Sequence, residues 1–62
     1  MTELEKIRYI FNGAYNLYRN EKQLAKIAEN SDDHENAENH ERESLKHYNV
    51  YLKYSEIYDR MK

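Results

Sequence analysis

The sequence predicts an all-α fold: an antiparallel two-helix hairpin, with helices at about 2–29 and 32–61, pairing as a homodimeric four-helix bundle. Three observations predict it. The 62 residues contain no proline and one glycine, Gly13. The large apolar side chains recur at three- and four-residue steps, the period of a helical face. One run of poor helix formers, Asn30-Ser31-Asp32-Asp33, interrupts that period near the middle. β-Branched residues are sparse (Thr2, Ile7, Ile10, Ile27, Val50, Ile57), which argues against strands.

The first helix begins at a capping box. Thr2 is followed three residues later by Glu5, so the hydroxyl caps an early backbone N–H while the carboxylate reaches back. Beyond it Leu4, Ile7, Ile10, Phe11, Ala14, Leu17, Tyr18, Leu24, Ala25 and Ala28 fill an arc about 160° wide. Asn12-Gly13 is a turn signal in isolation. The apolar phase agrees on both sides of it, so one helix is expected, with a glycine that costs about 1 kcal/mol against alanine.

Ser31 is the expected N-cap of the second helix, with Asp32 and Asp33 in a first turn where the helix dipole favours negative charge. In its second half Leu45, Tyr48, Tyr51, Leu52 and Tyr58 fill one arc, and His47, Val50, Tyr54, Ile57 and Met61 an adjoining one. Together they cover roughly 240°, against about 100° for an ordinary surface helix. One partner helix does not bury that much, and Val50, Tyr54, Ile57, Tyr58 and Met61 are therefore assigned to a dimer interface. A hairpin closing near residues 30–33 sets positions that sum to about 63 opposite each other. On that register Glu21, inside the apolar stripe of the first helix, is expected to form a structural ion pair with Arg42.

Residues 1–62 make a single domain, and the charge falls in three blocks. Residues 1–28 carry +2, residues 29–44 carry −6 from seven acids against Arg42, and residues 45–62 carry +2. The middle block has Ala37 as its one apolar side chain and reads as a solvated acidic cap. A chain this short hides only about 60% of its unfolded surface. The absence of cysteine excludes disulfides, thiolate zinc sites and thiol catalysis, which leaves a metal held by other ligands or oligomerisation to add to its core. The same absence suits a reducing cytoplasm. No apolar run approaches the roughly 18–20 residues of a membrane span, and Met1-Thr2-Glu3-Leu4-Glu5 lacks the basic and apolar regions of a signal peptide. A cytoplasmic location without membrane association is expected.

Candidate chemistry is sparse. His40, Glu43 and His47 share a helical face at i, i+3 and i+7 and are the weak candidates for a metal site. Ser31, Ser44 and Ser55 lack a nucleophile-elbow setting, and no glycine-rich phosphate loop is present. No enzyme activity and no cofactor are expected. With a pI near 5.9 and no concentrated basic face, direct nucleic-acid binding is not expected either.

The seven tyrosines point elsewhere, because tyrosine supplies a large, rigid contact body whose hydroxyl tolerates water. Tyr9 and Ile27, on the back of the first helix, are the expected partner-binding residues. Asp32, Asp33 and Glu35 at the acidic tip are expected to meet a basic surface on another protein. The architecture is similar to that of bacterial sporulation regulators of the Spo-zero-E type. Their Ser-x-Glu-Leu-Asp motif has no counterpart in Ser31-Asp32-Asp33-His34-Glu35, so the resemblance carries over no residue role. Asn, Lys, Tyr and Ile, all given by A/T-rich codons, suit a bacterial or phage genome. The expected function is a small, non-enzymatic protein-binding regulator or inhibitor. The alternatives are a structural helical bundle and a His/Glu metal-binding protein.

Overall fold

The computed structural model describes residues 1–62 as two helices packed against each other, α1 (Glu3–Asn30) and α2 (His34–Met61), each of 28 residues. At 1.5 Å per residue each is about 42 Å long, and the hairpin measures 45 × 16 × 11 Å. Thr2 caps α1 as its sequence implies, its hydroxyl accepting from the Glu5 N–H at 3.1 Å. Helix α1 runs unbroken through Asn12-Gly13.

The turn corrects one expectation. Ser31 closes α1 and does not open α2; the N-cap of α2 is Asp33, whose carboxylate accepts from the Asn36 N–H at 3.4 Å and from the Asn36 side-chain amide at 2.6 Å. Between them Asp32 adopts a left-handed conformation, φ 59°. The Asp33 N–H donates to the Ala28 carbonyl at 2.8 Å and the Asp32 N–H to the Glu29 carbonyl at 3.1 Å, the two bonds of a Schellman ending. Glycine normally fills the left-handed position, and aspartate is among the few other residues that tolerate it. The reversal consumes Ser31 and Asp32, which moves the start of α2 downstream.

Every buried or half-buried residue of α1 lies on one seam: Leu4, Ile7, Phe11, Ala14, Tyr18, Glu21, Ala25 and Ala28. The steps alternate strictly between three and four, the heptad rhythm of a coiled coil. Helix α2 answers with Ala37, His40, Ser44, His47, Tyr51, Tyr54 and Tyr58 at the same rhythm, flanked by half-buried Tyr48, Ser55 and Ile57. The seam is aromatic toward the open end. Phe11 packs edge-on against Tyr51 and Tyr58, and Tyr18 lies 4.9 Å from Tyr48, ring centre to ring centre. Toward the turn the seam narrows to Ala25, Ala28, Ala37 and Ser44.

The acidic block is therefore not a solvated cap throughout. Its outer side is exposed, but Ala37 and Ser44 are buried, Ser44 completely, with its hydroxyl donating to the Glu41 carbonyl at 2.7 Å. Small side chains suffice where the helices converge on a three-residue turn. A search for bulky apolar residues passes over such positions.

Candidate protein-binding surface

The seam divides the rest of the hairpin into two broad faces. In an antiparallel coiled coil, residues just after matched seam positions flank one side, and residues just before them flank the other. Lys22 follows Glu21 and Glu41 follows His40, and these two meet at 2.8 Å, which fixes the first face. On the same face Tyr15 and Tyr48 join Tyr18 and Tyr51 in a cluster of rings 4.9 to 5.8 Å apart. Charges and aromatic surfaces here find partners within the hairpin. The Glu41 hydrogen bond lifts the Lys22 ammonium above its ordinary range, the small desolvation opposing it and the Glu41 charge adding to it.

The second face carries the residues just before the seam: Ile10, Leu17 and Leu24 on α1, Val50 and Ile57 on α2. Ile10, Leu17, Leu24 and Val50 remain 42%, 49%, 43% and 40% exposed. No ion pair joins the two helices on this side. Gly13, between Ile10 and Leu17, has nothing within 4 Å of where a Cβ would stand. On α1 this row is aliphatic from Ile10 to Leu24 and unpartnered; on α2 it is aliphatic at Val50 and Ile57, toward the open end, and polar at Asn36 and Glu43, toward the turn.

Ile10, Leu17 and Leu24 were expected inside the core stripe of α1, and the structure moves them out of it. The signal that separates them is their own spacing of seven. The strict heptad of the seam leaves no room for them, and they form a second row beside it.

The remaining candidates scatter. Tyr9 and Ile27 are 74% and 61% exposed, but 18 residues of helix separate them by about 27 Å. They do not make one patch. Asp32, Asp33 and Glu35 are exposed at the turn, where Asp32 and Asp33 already have conformational work. Of the expected dimer residues, Val50 and Met61 are exposed, and Tyr54, Ile57 and Tyr58 are half-buried. Tyr58 is engaged by Phe11 of its own chain at 5.4 Å.

The Glu21–Arg42 pair does not form. Glu21 Oε2 instead lies 2.6 Å from His40 Nδ1, both side chains being largely covered. Expected register and actual register nearly agree, as the neighbouring Lys22–Glu41 contact shows. Rotation explains the difference, because Arg42 is two residues past His40 and so about 200° around α2. Arg42 lines a shallow open groove with Glu29, His34 and Glu38.

His40, Glu43 and His47 do not assemble a metal site, and no three His, Cys, Asp or Glu side chains converge anywhere in the chain. His40 is held by Glu21, and Glu43 lies 3.2 Å from Lys46. No helix is long and apolar enough to cross a membrane. Comparison with protein-family models, with curated proteins and with solved structures gave no match. Fold and surface define the class as an antiparallel two-helix hairpin with one aliphatic face open.

Proposed function

We propose that this chain is a non-enzymatic protein-binding module, a small regulator or inhibitor that works by helix-on-helix contact and pairs as a homodimeric four-helix bundle. The observation that supports it is the aliphatic face of Ile10, Leu17, Leu24 and Val50, open along a hairpin that buries four of its 62 residues. Its surface of 4,928 Å² exceeds the roughly 4,300 Å² expected of a compact 7.6 kDa monomer. Leu17 is outside the seam, so a charge there disturbs the face and leaves the hairpin intact.

The test is chemical cross-linking in native host cells, with wild type and Leu17→Glu side by side. Wild type is expected to capture a specific protein, whether its own copy or another, and the variant to lose it at unchanged circular dichroism. Equal capture by both, or capture of nothing, refutes the proposal.

A further inference from the structure

The α1 row of the open face is symmetric about Leu17, which suits a two-fold partner. Ile10, Leu17 and Leu24 recur every seven residues, so Ile10 and Leu24 stand about 10 Å to either side of Leu17. Leu17 is near the midpoint of Glu3–Asn30, and the Lys22–Glu41 and Glu21–His40 contacts set it level with about residue 45 across the seam, between Glu43 and Val50. A two-fold axis through this centre and across the helices brings Leu17 onto Leu17 and Ile10 onto Leu24, in the self-complementary manner of a cyclic dimer.

A second two-fold axis, along the hairpin, would instead lay α1 on α2 with the two turns side by side. Charge decides between them. Turns side by side would bring together two segments of −6 each (residues 29–44). Turns at opposite ends keep the two acidic tips apart and set each toward the other copy's open end, where Lys6, Arg8, Lys53, Arg60 and Lys62 slightly outnumber Glu3, Glu5, Glu56 and Asp59. The area is also sufficient, since a 45 × 16 Å face offers about 700 Å², close to the ~800 Å² per partner of a standard interface.

We propose that the Ile10–Leu17–Leu24 face binds a second copy of this chain, α1 lying antiparallel on α1 about Leu17, with the two turns at opposite ends of the bundle. The proposal rests on the protein-binding reading above and adds the surface and the orientation.

Equilibrium sedimentation of the pure chain tests the partner, and introduced cysteines test the orientation against a cysteine-free background. Wild type is expected at twice the 7.6 kDa protomer mass. Leu17→Glu and the milder Leu17→Ser are expected to halve the mass at unchanged helicity. Leu52→Glu, on the opposite face, keeps the dimer. Under mild oxidation Leu17→Cys forms a disulfide-linked dimer, and a mixture of Ile10→Cys with Leu24→Cys gives the mixed dimer in preference to either homodimer. Ile10 and its own copy would be about 21 Å apart, beyond the reach of a disulfide.

A wild-type monomer at about 100 μM, ample for a micromolar dimer, overturns the proposal. So does cross-linking of Ile10→Cys with Val50→Cys in place of Ile10→Cys with Leu24→Cys, which would set the turns side by side. If the pure chain is monomeric yet Leu17→Glu abolishes capture of a different host protein, the second copy is refuted and the protein-binding reading stands. If both experiments fail, both are refuted.

Discussion

Gly13→Ala is the cleanest probe of the long first helix. The glycine sits ten residues from the N-terminus of α1, in an unbroken run of helix, and its φ is not positive. An added Cβ meets nothing within 4 Å. The substitution therefore changes backbone freedom alone, and alanine is about 1 kcal/mol more favourable than glycine inside a helix. For a domain near 60 residues, 1 kcal/mol moves the melting temperature by about 4–8 °C. The expected shift is upward and toward the top of that range. Circular dichroism at 222 nm, followed through thermal unfolding in dilute solution, measures it. An unchanged or lower melting temperature would refute the reasoning, because it would require α1 to bend at Asn12-Gly13 or another chain to fill the space beside Gly13.

Three more outcomes follow from the seam and its flank. A double-mutant cycle on Glu21 and His40, each replaced by alanine, should return a coupling of about 1 kcal/mol, between the values for exposed pairs and for charged hydrogen bonds; the same cycle on Glu21 and Arg42 should return none within error. Ser44→Ala should leave the urea midpoint nearly unchanged, since the hydroxyl bonds only within its own helix, whereas Ser44→Leu should lower stability by about 1–3 kcal/mol through overpacking. Lys22 has a folded-state pKa raised above the ordinary value of 10.5, so its contribution is full below that value and is lost as pH rises through the folded pKa. Wild type should exceed Glu41→Gln by no more than about 1 kcal/mol at pH 8, both partners being exposed, and the gap should close above the lysine range; a gap that widens would reverse the sign.

Much of the hairpin was legible because helix signals are local. Thr2 and Glu5 announce the start of α1, and the shared apolar phase across Gly13 announces its continuity. The turn was misjudged by two residues, because Ser31 and Asp33 are equally good caps by type and only the left-handed Asp32 decides between them. The acidic block was misread for a different reason. Ala37 and Ser44 bury little area, yet closeness of the helices, not bulk, puts them inside. His40 in place of Arg42 follows from rotation about α2, which the register alone does not specify. The open face was missed because Ile10, Leu17 and Leu24 blend with the seam at 160° resolution and separate from it only under a strict heptad.

These points connect at the seam. Toward the turn the seam is built of Ala25, Ala28, Ala37 and Ser44, small side chains that interlock weakly, while toward the open end Phe11 interlocks with Tyr51 and Tyr58. A single polar position in a coiled-coil seam is known to fix register at some cost in stability. Glu21 and His40, 2.6 Å apart, are such a polar pair here, and moving α2 by one heptad would set Glu21 against Asp33 at the turn in one direction and against His47 in the other. The same one-heptad slip, about 10 Å along the axis, would offset the ends of the two 28-residue helices. In the register at which Glu21 meets His40 the two helices begin and end level with each other.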